Sequence, residues 1–154
     1  MGVHDTAQLV DSTVGDAELR EFVTVHDSEI GDDSRLYERV SVKKSAVGES
    51  VDINAGAYVE NARLDDRVQI GPNAVVAGVT HELTDRGMTH REDRFERVVV
   101  EVGAFVGAGA VVLPGVRVGE NAVVAANATV AEDVPAGTLV RPGAESVRES
   151  LDGR

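Results

Sequence analysis

At 154 residues the chain has the size of one ordinary domain, enough to bury a core without metal or disulfide staples. Hydrophobic residues make up 42% of it but aromatics only 3%, with no Trp, so Val, Ala, Leu and Ile have to fill a narrow core. A net charge of −12 argues against nucleic-acid partners, and the absence of cysteine removes disulfides, thiolate zinc sites and acyl-cysteine intermediates.

The start, Met1-Gly2-Val3-His4-Asp5, has no cationic or apolar leader character, and no run approaches a membrane span. A soluble, cytoplasmic protein without a membrane partner is expected. The only lysines are Lys43 and Lys44, against 13 arginines. An acidic surface of this kind fits a salt-adapted cytoplasm, where carboxylates stay hydrated while salt screens their repulsion.

From Ile30 onward a branched aliphatic recurs about every six residues: Leu36, Val42, Val47, Ile53, Val59, Leu64, Ile70 and Val76. After an interruption the series resumes at Val100, Val106, Val112, Val118, Val124 and Val130. The fourth residue after an anchor is small in nearly every step, as at Ser34, Val40, Ala46, Val51, Ala57, Val68, Ala74, Ala104, Ala110, Ala122 and Ala128, with Arg63 as the exception. The third is often a type that tolerates positive φ: Asp33, Gly56, Asn73, Gly103, Gly109, Gly115, Asn121, Asn127 and Asp133. Each hexad therefore reads as a short strand plus a corner, and the glycines as corner residues rather than a phosphate loop. Three hexads close one triangular coil, which takes 17 residues from Ile30 to Val47 and again from Val47 to Leu64. About six coils, stacked as parallel strands ~4.8 Å apart, predict a prism on the order of 30 Å long.

The period fails between Val79 and Val98, where an inserted loop over about residues 80–97 carries Glu82, Asp85, Glu92, Asp93 and Glu96 against Arg86, Arg91, Arg94 and Arg97. Such a mixed-sign segment suits a solvated loop, with Met88 and Phe95 available to tuck against a neighbouring subunit. Repeats over about 9–79 and 98–140 belong to one domain spanning 1–154. The tail, 143–154, has Val147 and Leu151 one helical turn apart, the pattern of a short C-terminal helix covering the prism end.

The run Val106-Gly-Ala-Gly-Ala-Val, Val112-Leu-Pro-Gly-Val-Arg, Val118-Gly-Glu-Asn-Ala-Val, Val124-Ala-Ala-Asn-Ala-Thr resembles the hexapeptide-repeat acyltransferases, above all the galactoside and maltose O-acetyltransferase and nucleotide-sugar acetyltransferase branches. The resemblance implies an all-β, left-handed parallel β-helix that forms a homotrimer and moves an acetyl group from acetyl-CoA to a small acceptor. In the galactoside and maltose branch a histidine follows a stretch similar to Ile70-Gly-Pro-Asn-Ala-Val-Val-Ala-Gly-Val-Thr, at the place of His81, and serves as general base. An imidazole suits that task, because it titrates near working pH and can take the proton that an attacking hydroxyl or amine must lose. Asp52, at a corner where galactoside acetyltransferases carry an acceptor-contacting polar residue, and His90, further along the loop, are candidate substrate contacts. Ala108 and Ala126 match positions along which the pantetheine of CoA lies. The family's Thr-Lys-Asp-Val-Pro segment is Ala131-Glu132-Asp133-Val134-Pro135, so the lysine at the CoA phosphates is a glutamate, and Arg141 and Arg148 are the candidate replacements.

Two other readings compete. A carbonic anhydrase of the same β-helix class would need three zinc-binding histidines, but among His26, His81 and His90 the family's pair five residues apart is missing, so no metal is expected. A non-catalytic scaffold of the same repeat would need neither His81 nor the insertion.

The charge generates one prediction. At −12 per chain, self-repulsion is unscreened in dilute buffer, so the melting temperature should rise between low and molar KCl. An unchanged melting temperature would remove the salt-adapted reading and leave the fold untouched.

Overall fold

The computed structural model describes residues 2–143 and 150; the expected helix in the tail and the candidate Arg148 lie outside the described residues. Among those described, short strands wind around three flat faces, each a parallel sheet. The first face stacks Gln8–Val10, Thr24–His26, Ser41–Lys43, Tyr58–Glu60, Val75–Ala77, Val111–Val112 and Thr129–Val130. The second runs from Thr13–Val14 to Arg117–Val118 in six strands, and the third from Glu18–Leu19 to Leu139–Val140 in seven. Seven strands have six spacings, or about 29 Å. The repeat starts earlier than its sequence signal, for Val3 bridges to Leu19.

All fifteen anchors are buried, none more than 4% exposed. Three of them, one per face, meet on the axis of each coil, and that axis has room for little more than Val, Leu or Ile. Buried polar side chains among the described residues are three serines, Ser28, Ser34 and Ser45, so every described charged side chain points outward.

Coil length changes along the prism. On the first face, register partners are 17 residues apart from Thr24↔Ser41 through Tyr58↔Val75 and 18 apart at Val111↔Thr129. The missing residue comes from the corner between the first and second faces. There the small inner residue is third after the anchor, not fourth: Ser28, Ser45 and Ala62 are buried, whereas Arg63 is exposed and Ala46 only partly covered. Arg63 is thus no exception to the small-residue rule. It has moved one place along and faces solvent.

Those serines hold the short corner together. Ser45 Oγ donates to the Lys43 carbonyl at 2.7 Å and accepts from the Ala62 N–H at 3.1 Å, while Ser28 Oγ does the same with the His26 carbonyl and the Ser45 N–H, at 2.7 and 3.0 Å. Each hydroxyl satisfies a corner N–H of the next coil that the sheet ladders do not reach.

The corner rule read from the sequence is correct for eight of its nine positions and too narrow. Asp33, Gly56, Asn73, Gly103, Gly109, Gly115, Asn121 and Asn127 have positive φ, but Asp133 does not; its carboxylate instead accepts from the Arg117 N–H at 2.9 Å. Phe22, Arg39, Lys44, Ser50 and Arg67 also take positive φ, at 49 to 61°. Stacked coils impose the corner conformation even on residues that rarely adopt it, and the local cost of about 1–2 kcal/mol is met by inter-coil hydrogen bonding.

Ser45→Ala should cost about 1–3 kcal/mol, because it strands the Ala62 N–H in a buried corner. Chemical denaturation measures this directly, and an unchanged midpoint would mean the ladder is dispensable.

Candidate functional site

The insertion is not the irregular loop expected from its charge pattern. Val79–Thr84 and Gly87–Phe95 form an antiparallel hairpin that leaves the prism at the corner between the first and second faces. Its root is Gly78, whose N–H donates to the Glu60 carbonyl and whose carbonyl accepts from both Asn61 Nδ2 and the Glu96 N–H, all at 2.8 Å. A Cβ on Gly78 would stand 2.2 Å from the Asn61 carbonyl oxygen, so only glycine fits where the chain departs. Glu96 then takes over the corner, accepting from the Gly115 N–H. Lys44, one of the strained corner residues, places its ammonium 4.8 Å from the centre of the Phe95 ring and pins the returning strand.

His81 stands on the outgoing strand, opposite Asp93 on the returning one. Its Nδ1 lies 3.1 Å from Asp93 Oδ1, with both side chains about half exposed. The pairing register then breaks between His81 and Leu83. His90 does not join this pair. It lines a depression of about 410 Å³ at the hairpin tip with Arg86, Met88 and Arg91.

Asp52 lies on the third face, between Arg35 and Gln69 in register, and so on a different side of the prism from the hairpin root. Within one chain it is not brought to His81. Ala108 and Ala126 do come together, exposed on consecutive coils at the corner between the third and first faces, where the Asn127 N–H donates to the Ala108 carbonyl at 2.9 Å. A Cβ at Gly107 would stand 2.7 Å from the Ala126 nitrogen, which keeps this edge flat. Ala55 and Pro72 extend the same edge downward through backbone hydrogen bonds, and Arg141 follows Val140 one coil beyond Ala126. Glu132 is exposed. His26 is part of the first face between Val10 and Lys43. Among the described residues no group of three or more His, Asp or Glu side chains is placed to hold a metal ion, and no helix is long and apolar enough to cross a membrane.

One cluster went unnoticed in the sequence. One coil below the hairpin root, on the first face, Tyr58 Oη donates a short hydrogen bond to Glu60 Oε1, and Lys43 Nζ lies 5.5 Å from the Tyr58 ring centre. Burial, then the hydrogen bond and charge of Glu60, push the Tyr58 phenol up to about 12. Their spacing of two in a strand does put both side chains on one face, but the hexad pattern gives no reason to look there.

A three-sided parallel prism of hexads with one hairpin inserted at a corner defines the class as a hexapeptide-repeat solenoid. Residues 2–94 match the family described as GlmU-like, C-terminal hexapeptide, and residues 97–132 match the bacterial transferase hexapeptide of six repeats; the chain belongs to this hexapeptide-repeat transferase family. It is 30% identical over 122 residues to the bifunctional protein GlmU of Jannaschia sp. (strain CCS1), a match covering 79% of this chain and 24% of that one. It is 34% identical over 101 residues to the galactoside O-acetyltransferase of Lactococcus lactis subsp. lactis (strain IL1403), with 57% and 47% covered. A mutant perosamine N-acetyltransferase from Caulobacter crescentus, solved in complex with CoA and GDP-perosamine, is similar at a TM-score of 0.59 and 26% identity, over 89% of this chain and 50% of that one. The chain therefore spans about a quarter to a half of the length of these relatives.

Tyr58 provides a pH test. Because its folded pKa is raised, its contribution to stability is full below the ordinary tyrosine range near 10 and is lost as pH rises through about 12. Ultraviolet titration should show a phenol ionising only near pH 12, and Glu60→Gln should bring that step down; an unmoved step would exclude Glu60 as a cause.

Proposed function

We propose that the protein is a CoA-dependent O- or N-acetyltransferase that moves an acetyl group from acetyl-CoA to a hydroxyl or amine of a small acceptor: a sugar, a nucleotide-linked sugar or a xenobiotic. The observation that carries this reading is His81, held outside the core on a hairpin clamped at Gly78, in a chain of the hexapeptide-repeat family. The relative crystallised with CoA and GDP-perosamine supports the same two ligand classes.

His81 takes the proton from the acceptor as its oxygen or nitrogen attacks the thioester carbonyl, and the thiolate of CoA leaves. The pantetheine lies along the flat edge of Ala108 and Ala126, with Arg141 one coil beyond toward the phosphates, offsetting the repulsion of Glu132. Arg148, outside the described residues, is proposed for the same role. Asp52 and His90 are proposed as acceptor contacts.

His81 and the Ala108–Ala126 edge occupy two different corners of one prism. A homotrimer resolves the separation, because His81 of one copy then faces the edge of the next and each site is completed between subunits. The exposed ladder of Phe105, Val123 and Leu139 on the third face, in register over three coils, gives a neighbouring copy an apolar strip to cover. The acidic exterior fits work in a salt-rich cytoplasm.

His81→Ala should lower turnover by roughly 10²–10⁴, the usual contribution of a positioned base. CoA binding and sedimentation as a trimer should persist, since His81 fills no core volume. Undiminished turnover, measured by release of free thiol from acetyl-CoA over a panel of acceptors, would falsify the assignment.

A further inference from the structure

We propose that Asp93 is a positioning residue for His81: it holds the imidazole in the Nδ1–H tautomer and turns Nε2 outward as the proton acceptor. This rests on the reading of His81 as the base. Asp93 is one of five acids in a segment that looks merely solvated from its sequence, and neither the hexad period nor the family resemblance singles it out.

The hairpin register does. Directly opposite residues in an antiparallel pair bring their Cβ atoms within about 4.5–5.5 Å, close enough for an imidazole and a carboxylate to meet side by side. Alternation along a strand then separates Asp93 from its neighbours, for Arg94 pairs with Thr80 on the other face of the hairpin and Glu92 is likewise turned away. A carboxylate only accepts, so the nitrogen 3.1 Å from Asp93 Oδ1 is the one that carries the hydrogen. The lone pair is left on Nε2, the ring nitrogen that Asp93 does not engage.

A second observation supports the assignment. Immediately after His81 the pairing slips, and an irregularity of that kind re-aims the side chain next to it. Stability gives no comparable reason for the pair, since an ion pair this exposed contributes little. The clamp at Gly78 and the Lys44–Phe95 contact already hold the hairpin at its base. The charged group paired with His81 is Asp93 across the hairpin, while Lys44, on the coil beneath, is engaged with the Phe95 ring.

The test pairs spectroscopy with kinetics on the 154-residue chain. Nitrogen-15 NMR of histidine-labelled protein, with the imidazole neutral, should place the hydrogen of His81 on Nδ1. An unpartnered imidazole favours Nε2–H, so Asp93→Asn should shift the population that way. With acetyl-CoA and an accepted substrate, Asp93→Asn should lower kcat by about 10- to 100-fold with KM little changed. That is less than the ~10⁴ seen for a buried orienting carboxylate, because this pair is half solvated. Asp93→Glu should restore part of both signals, and Glu92→Gln should alter neither.

The proposal is overturned if wild-type His81 carries its hydrogen on Nε2, or if Asp93→Asn leaves tautomer and kcat unchanged. It is equally overturned if Asp93→Asn and Asp93→Glu lower the melting temperature alike and lose the tautomer alike, since the position would then only support the hairpin. Failure of the acetyltransferase reading has a different signature: no wild-type turnover with acetyl-CoA, but an intact tautomer difference. In that case the positioning of His81 by Asp93 stands and serves another proton transfer.

Discussion

Each coil has to close on itself in 16 to 18 residues so that its backbone N–H and C=O groups meet those of the next coil, and the other features of the prism follow from that closure. It sets the inner cross-section, which admits one branched aliphatic per face and explains a core built almost without aromatics. It also fixes most of the corners at a conformation that side chains usually avoid. Phe22, Arg39 and Arg67 adopt it because their neighbours above and below leave no alternative hydrogen-bonding arrangement.

The corner between the first and second faces is where the closure is most adjustable. Before the hairpin it is one residue short and is completed by the serine hydroxyls; after the hairpin it has the full hexad with Gly115 at positive φ. The insertion sits at the changeover. Gly78 and Glu96 are joined by a backbone hydrogen bond, so the chain leaves and returns through adjacent positions and the ladder above and below is preserved. A coil can therefore carry a long excursion at little cost to its own stacking, provided that both ends share one corner.

That arrangement divides the proposed chemistry between two edges. The hairpin edge bears His81 with its carboxylate neighbour, and the opposite edge of the first face bears a smooth strip of small residues leading to Arg141. A rigid prism cannot fold one edge onto the other. The proposed trimer answers this separation, since a flat, side-by-side association suits a solid with three plane faces.

Periodicity alone specified the coils: the fifteen anchors were legible as one series, and all are buried, because a repeating backbone demands a repeating side-chain volume. His81 was legible through its place at the end of that series and through the family resemblance, and Ala108 and Ala126 through resemblance only. The hairpin was hidden, since Glu82, Arg91 and Glu92 give no apolar alternation to mark strands that stand free in solvent. Arg63 looked like an error in the pattern until the five-residue corner moved Ala62 into its place. The pairing of His81 with Asp93, the Tyr58–Glu60 contact and the separation of Asp52 from the hairpin were decided by tertiary structure alone. Each depends on which strand lies opposite which, and a one-dimensional period carries no information about cross-strand register once the repeat has stopped.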